Sequence, residues 1–161
     1  MGTLIGISAR LVGTKGAMTA WTIRHPLPPD EEVARWTLDR PPALETLRAG
    51  LQRALSAHAP GNGVDLSDLT ERLMIAATEL AGNALRHGRP PTVVALLRAD
   101  GHLIIDVTDN DPTTRPIADP DRPRSAGGLG LTLTQRLAHE VGWYPTSTDK
   151  HVWAQFTLPE D

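Results

Sequence analysis

The segment ELAGNALRHG, from Glu79 to Gly88, decides the fold because it joins an apolar helical pattern to a regular polar stripe. Glu79, Asn83 and His87 recur every fourth residue in a stretch otherwise rich in leucine and alanine. At about 100° per residue, Glu79 and Asn83 differ by roughly 40° in azimuth and lie one turn apart. We therefore expect both at the border of the apolar face, with His87 one turn further and rotated toward that face.

The helix alone leaves two interpretations of this stripe open. It is either an ordinary polar border or the edge of a functional site. In the first case His87 lies near the helix C-terminus, where a positive charge is stabilising. The neutral oxygen of Asn83 suits Mg²⁺, which keeps most of its waters and takes few protein ligands. The carboxylate of Glu79 can orient or deprotonate a nucleophile.

Glycines and prolines divide the rest of the chain into helices and strands. The elements expected, in chain order, are a strand over 21–27, a helix over 41–58, a helix from Asp65 as N-cap to Gly88, strands over 92–99 and 102–109 joined at Asp100-Gly101, a helix over 131–143, and strands over 143–148 and 151–158. Two hairpins mixed with helices, without regular βαβ alternation, predict a layered α+β fold.

Length, charge and cysteine content narrow the classes of function. A chain of 161 residues with a net charge of −3 predicts one domain without the broad basic surface of nucleic-acid binders. The absence of cysteine excludes disulfides and thiolate chemistry and fits a cytoplasmic protein. No apolar run approaches the roughly 20 residues of a membrane-spanning helix. Arg10 and Lys15 interrupt residues 1–20, so we expect a flexible tail before a domain over 21–161, and no signal peptide.

Two further segments carry polar chemistry. IIDVTDND ends a strand at Asp109, whose carboxylate could accept hydrogen bonds from an exocyclic amine such as that of adenine, although Asp also suits an ordinary turn. AGGLGL, residues 126–131, places three glycines before a helix, where backbone N–H groups and the helix N-terminus attract phosphate. Between them, residues 110–126 contain four prolines and no periodicity, which is typical of a lid or a disordered loop.

Taken in this order, the segments resemble the histidine-kinase-like ATPase superfamily, and within it the small anti-sigma-factor serine kinases and their actinobacterial relatives. The likeness covers roughly Trp21 to Leu158. TELAGNALRHG resembles the N-box, DVTDNDP the adenine loop, and GGLGLTLTQRLAHEVGW the phosphate loop with its helix. The resemblance implies a Bergerat fold, a two-layer sandwich in which about three helices cover one face of a mixed, mostly antiparallel sheet.

The resemblance also implies ATP and Mg²⁺ as cofactors. By it, Asn83 would ligate Mg²⁺, Glu79 would be the general base, and Asp109 would bind the adenine amino group. Around the phosphates the resemblance places Gly128, Gly130 and Leu131, and, if residues 110–126 form a lid, the lid arginines Arg115, Arg122 and Arg124 are candidate phosphate contacts.

The adenine loop departs from the family's usual D-x-G-x-G. It reads Asp109-Asn110-Asp111-Pro112-Thr113, without either glycine, and the extra carboxylate of Asp111 would repel phosphate. The chain also has no room for the helical hairpin that carries the phosphoacceptor histidine of sensor kinases.

The resemblance thus implies a serine/threonine protein kinase that regulates transcription by phosphorylating a small anti-sigma-factor antagonist. A sigma factor would be its other partner, a homodimer is compatible with the family, and no direct contact with nucleic acid or membrane is expected. The alternative is a catalytically weak or inactive module that uses ATP to order its lid and select a partner. Retention of Glu79 favours the kinase, and the altered loop at Asp111 favours the module. The three ordered motifs speak against a third alternative, a structural domain that binds no nucleotide.

Overall fold

The computed structural model describes residues 21–40, 43–57, 66–116 and 130–159. Within these ranges the chain forms, in order, β1 (Glu31–Leu38), α1 (Ala43–Ala57), α2 (Ser67–His87), β2 (Thr92–Ala99), β3 (His102–Asp109), α3 (Gly130–Leu137), β4 (Glu140–Pro145) and β5 (Lys150–Thr157). The strands make one sheet of order β1-β2-β3-β5-β4, and every neighbouring pair is antiparallel. The predicted α+β class is confirmed.

The helices cover one face of this sheet, and the main core lies between the two layers. Helix α2 lies between α1 and α3 and packs on β2, β3 and β5. Period-two alternation turns Val94 and Leu96 of β2 toward the helices, where they are fully buried. Burying a side chain of this size contributes about 1.5–3 kcal/mol. The other fully buried large side chains of this core are Leu47, Leu51, Leu73, Leu80, Ile105, Val107 and Phe156.

The strand expected over 21–27 is wrong. Ile23 makes only an isolated parallel bridge with Trp143 of β4. Trp21 lies in the core on the helix side, whereas Leu27 packs in a second, smaller cluster around Trp153. The segment therefore crosses from one face of the sheet to the other, and a segment that turns around an edge cannot pair continuously with a strand. Prolines at 26, 28 and 29 also lack the N–H group that a ladder needs.

Strand β1 was not expected from the sequence, where its first residues read as part of a Pro- and charge-rich interruption. It is an edge strand whose outward residues Glu32 and Arg35 form an exposed ion pair, with a shortest N–O distance of 2.6 Å. A register shift between Glu32 and Ala34 also breaks the alternation of apolar and polar residues. Charges and a bulge are common at sheet edges, and both hide the strand pattern.

The helix expected over 131–143 is six residues too long. Helix α3 ends at Leu137, whose carbonyl accepts a hydrogen bond from Arg72 Nη1 at 3.0 Å. Two residues later the backbone N–H of His139 donates to the carbonyl of Gln155 in β5 at 2.8 Å. Pairing with β5 thus overrides the helical pattern, and β4 begins at Glu140.

Most of the remaining boundaries agree with the sequence. Helix α2 ends at His87 with Gly88 as its C-cap, and both predicted hairpins form. The strand expected over 143–148 is wrong at its end, because β4 stops at Pro145 and Thr146 hydrogen-bonds Asp149 in the turn. Gly101, in the β2–β3 turn, has the left-handed φ of 75° that favours glycine there. Asp65, expected as the N-cap of α2, lies outside the described residues. No helix in the described ranges is long and apolar enough to cross a bilayer.

Candidate functional site

The face of α2 that carries Glu79 and Asn83 turns toward α3. The hydrogen bond from Arg72 to the carbonyl of Leu137 fixes this orientation near the start of α2. Glu79 follows Arg72 by seven residues and so lies within about 20° of it in azimuth, and Asn83 is one turn further. Both side chains are half-buried. The predicted metal-and-base edge therefore runs along the α3 side of α2.

His87 is the last residue of α2, one turn beyond Asn83. It is exposed, although helix geometry rotates it toward the apolar face as expected. Its structural role at the helix C-terminus stays a prediction.

Glu79 is in an environment that favours its protonated form. Burial raises the pKa of its carboxyl group, and the positive charge of Arg86 opposes that rise. Arg86 folds back along the helix, and its Nη1 lies 3.2 Å from the point that a Cβ on Gly82 would occupy. Glycine in a helix interior costs about 1 kcal/mol relative to alanine, so Gly82 is unfavourable locally but leaves room for the guanidinium group. Arg86, which the sequence analysis did not single out, therefore belongs to the site.

Asp109 is buried at the end of β3, with 1 % of its surface exposed. Its Oδ1 accepts a hydrogen bond from the backbone N–H of Asp111 at 2.8 Å. Its Oδ2 lies 3.6 Å from Nζ of Lys150, which pairs with Asp109 in the β3–β5 register. Lys150 Nζ also donates to the carbonyl of Thr114 at 2.7 Å. The carboxylate therefore holds the beginning of the 110–116 loop against the sheet.

Gly88 brings the end of α2 against this carboxylate. A Cβ at Gly88 would lie 2.4 Å from both Cγ and Oδ2 of Asp109, and 2.9 Å from the carbonyl oxygen of Ala84. Gly88 has a φ of −93°, a value that any residue adopts, so its backbone conformation does not require glycine. Glycine is required at this position because the Asp109 carboxylate approaches so closely. The N-box helix and the predicted adenine-binding residue thus meet at Gly88.

Asp111, the extra carboxylate of the altered loop, is held by the loop itself. Its Oδ1 accepts hydrogen bonds from the hydroxyl of Thr113 at 2.7 Å and from the Thr113 backbone N–H at 3.1 Å. These bonds, with smaller contributions from Thr114 and Lys150, lower the pKa of Asp111 to about 2. The carboxylate is therefore ionised at neutral pH, with its charge directed into hydrogen bonds of the turn.

The predicted phosphate loop is only partly within the described residues. Gly128 lies outside them, as do Arg122 and Arg124 of the expected lid, while Arg115 is exposed. Gly130 is the first residue of α3, and Leu131 is buried in the core at 3 % exposure. A role of Leu131 toward phosphate would therefore have to come from its backbone, since its side chain anchors the helix.

A groove of about 840 Å³ opens between α1 and α2 and reaches Glu79. Arg48 and Gln52 line it from α1, and Met74 and Ile75 line it from α2. Glu79 thus lies where this groove meets the α3 side of the helix. Across the described ranges, no three His, Cys, Asp or Glu side chains are grouped closely enough to hold a metal ion.

Comparison with known families agrees with this geometry. The family described as the histidine kinase-like ATPase domain matches residues 40–156, which include α1, α2, the 110–116 loop and α3. The chain belongs to this family. The predicted superfamily and its fold are therefore confirmed, and the histidine kinase-like ATPase domain described here is an ATP-binding domain of kinase-like type.

This chain spans about a fifth of the length of one similar protein and about a third of another. The signal transduction histidine-protein kinase AfsQ2 of Streptomyces coelicolor is 39% identical over 105 residues, which cover 56% of this chain and 20% of AfsQ2. A crystal structure of the RsbU and RsbW domains of Rv1364c from Mycobacterium tuberculosis matches with a TM-score of 0.53 and 22% identity. That match covers 80% of this chain and 33% of the solved one, and it shows a shared fold.

The described residues of the domain fit a nucleotide with a metal ion at one end of the site. Asn83 offers an amide oxygen one turn from the Glu79 carboxylate, on a half-buried face turned toward α3. From Glu79 to Gly88, where Asp109 touches the helix, α2 rises by about 13 Å. An extended nucleoside triphosphate has a comparable length from its base to its terminal phosphate. The distance along α2 is therefore comparable with that from the base to the terminal phosphate of such a nucleotide.

Proposed function

We propose that this domain is an ATP-dependent serine/threonine protein kinase of the anti-sigma-factor type. It would bind Mg²⁺–ATP and phosphorylate a hydroxyl group on a small antagonist protein, with a sigma factor as a second partner. The observation that carries the proposal is the pair on α2: Glu79, whose burial raises the pKa of its carboxyl group, stands one turn from Asn83 on the half-buried edge facing α3.

Each residue has a separate role in this proposal. Asn83 would hold Mg²⁺, which supplies charge neutralisation at the phosphates when bound. Backbone groups at Gly128, Gly130 and Leu131 would hold the phosphates, and Asp109 would accept a hydrogen bond from the adenine amino group. Phosphoryl transfer needs little more than positioning and charge stabilisation, so a small domain suffices.

Glu79 would act on the acceptor. As the hydroxyl oxygen attacks the γ-phosphorus, its proton passes to the Glu79 carboxylate, the bond to the bridging oxygen breaks, and ADP leaves. A base whose pKa lies closer to neutral receives such a proton more effectively than an ordinary carboxylate. Arg86 limits the rise in the pKa of Glu79, so a larger fraction of Glu79 stays ionised and ready to accept.

The nature of the acceptor separates two kinds of kinase. The motifs resemble serine kinases, whereas AfsQ2 is named a histidine-protein kinase. The two products differ chemically, because a phosphate ester of serine survives acid and a phosphoramidate of histidine does not. Acid treatment of the labelled acceptor therefore decides between them.

The test of the proposal compares Glu79→Gln with wild type. We expect ATP affinity within a few-fold of wild type and loss of transfer by roughly 10²–10⁴-fold, the usual contribution of a general base. Glu71→Gln is the matched control, since Glu71 is an exposed carboxylate on the same helix. Labelled ATP is incubated with co-purified proteins and with candidate antagonists. Equal labelling by wild type and Glu79→Gln would refute the role of Glu79.

A second candidate function is an interaction module gated by ATP without transfer. It is favoured by the altered loop, in which Asp109 and Asp111 already accept hydrogen bonds from the loop itself. In that case wild type binds ATP and captures a partner in an ATP-dependent manner, yet labels no protein. ATP binding without any labelled acceptor would therefore replace the kinase with the module.

A further inference from the structure

Lys150 is a buried cation directly behind the predicted base-reading residue. Only 5 % of its surface is exposed, which is unusual for lysine. It is the first residue of β5 and stands opposite Asp109 in the register. Its Nζ lies 3.6 Å from Asp109 Oδ2 and donates to the carbonyl of Thr114 at 2.7 Å.

Within the part of the chain that the structure describes, the hydrogen bonds of Asp109 leave one of its oxygens able to accept another. Oδ1 is taken by the backbone N–H of Asp111 at 2.8 Å. Oδ2 faces Lys150 at an ion-pair distance and contacts Gly88, but its distance from Nζ exceeds that of a normal hydrogen bond. A carboxylate oxygen accepts up to two hydrogen bonds, so Oδ2 can still accept one from a ligand.

We propose that Lys150 is a positioning residue that holds the Asp109 carboxylate so that Oδ2 accepts from a 6-amino purine and rejects a 6-oxo purine. This inference rests on the proposed function, because it requires that the domain binds a purine nucleotide near Asp109. An ionised carboxylate is an acceptor only, and it therefore pairs with the amino group of adenine. The 6-oxo group of inosine is also an acceptor, and the two would repel.

Loss of the Lys150 charge changes this preference through Asp109. Without this ion pair, the one hydrogen bond that holds the Asp109 carboxylate among the described residues is that to Oδ1, and the direction of Oδ2 is no longer fixed. When Oδ2 turns away from the base, the 6-amino group loses its acceptor and the 6-oxo group is no longer repelled. Lys150 thus acts on base selectivity, a property that a residue holding only the loop at Thr114 would not change.

The experiment measures dissociation constants for ATP and inosine triphosphate by calorimetry on the full chain. Wild type should prefer ATP by roughly 10- to 100-fold, the value of a hydrogen bond to a charged group. Lys150→Met should reduce this ratio to within about threefold, and Lys150→Arg, which keeps the cation, should restore it. Arg98→Met removes an exposed positive charge from β2 and should leave the ratio unchanged.

Lys150→Gln keeps a donor for the carbonyl of Thr114 without the charge, and it decides the matter if Lys150→Met does not fold. A narrowed ratio in Lys150→Gln supports the inference. Two results would overturn the role of Lys150 without contradicting nucleotide binding by the domain. One is an equal loss of affinity for both nucleotides in the Lys150 variants, and the other is the absence of an ATP preference in wild type. If wild type binds neither nucleotide, the proposed function itself fails.

Discussion

Replacing Gly88 by alanine tests the contact between the end of α2 and Asp109, the residue proposed to bind adenine. The new Cβ would lie 2.4 Å from Cγ and Oδ2 of Asp109, whereas ordinary contacts begin at 3.4 Å. The carboxylate must therefore retreat by about 1 Å, which also disturbs its pairing with Lys150. The carbonyl of Ala84, 2.9 Å away, belongs to the helix backbone and limits any movement in that direction.

Two opposing effects set the size of the stability change. Overpacking of this kind costs about 1–3 kcal/mol. Alanine lowers the conformational entropy of the unfolded chain, and a φ of −93° is one that it adopts without strain. This effect stabilises the folded protein by about 0.4–1 kcal/mol. We expect a net loss of about 1–2 kcal/mol in the free energy of unfolding, measured by urea denaturation. The displaced Asp109 should also weaken ATP binding by about tenfold.

Gly101→Ala is the matched control for this variant. Gly101 has nothing within 4 Å of its added Cβ, but its φ of 75° strains alanine. It should lose about 1–2 kcal/mol of stability and keep wild-type ATP affinity. The two variants are therefore separated by nucleotide binding and not by stability. If Gly88→Ala unfolds at the wild-type urea concentration and binds ATP as wild type does, the close contact with Asp109 does not exist in solution.

Three further outcomes follow from the site and the sheet. Asn83→Ala should bring the ATP affinities with and without Mg²⁺ close together in calorimetry, since only phosphates and waters would remain as ligands; a preserved Mg²⁺ dependence would assign the metal elsewhere. Arg86→Met removes the charge that lowers the pKa of Glu79, so the acid limb of the transfer rate should move to higher pH, and an unmoved limb would contradict this. Burial lowers the pKa of His151, but the hydrogen bond and charge of Asp106 outweigh this and leave it raised above 6.5. This pair therefore stabilises the fold fully below pH 6.5 and progressively less above it, and His151→Gln should flatten that decline in urea titrations, whereas an unchanged slope would contradict the coupling.

The parts of the fold that were predicted correctly have local signals. The apolar stripe of α2, the glycine that ends it and the Asp100-Gly101 turn are each readable within a few residues. Strands β1 and β4 are not readable in this way. β1 carries charges and a bulge at the sheet edge, and β4 is drawn out of a helical pattern by pairing with β5. Contacts between distant segments decide both.

The residues of the candidate site also differ in whether a local sequence signal predicts them. The spacing of Glu79 and Asn83 placed both on one edge of α2, and their half-buried positions agree with that prediction. Arg86 had a local signal that was overlooked, an unfavourable glycine four residues earlier in the same helix. Lys150 had none, because its partnership with Asp109 depends on the β3–β5 register, which connects residues 41 positions apart in the sequence.

The segment before β1 covers part of one edge of the sheet, the edge formed by β4. Along β4, Arg24 donates its backbone N–H to the carbonyl of Trp143 at 2.9 Å, and its side chain forms an ion pair with Glu140. This strip of chain thereby occupies backbone groups with which a foreign strand would pair. Among the described residues, no strand pairs with the outer side of β1. Any partner that lengthens this sheet by strand addition would therefore approach from the β1 side, next to α1 and at the opposite edge of the sheet from β4.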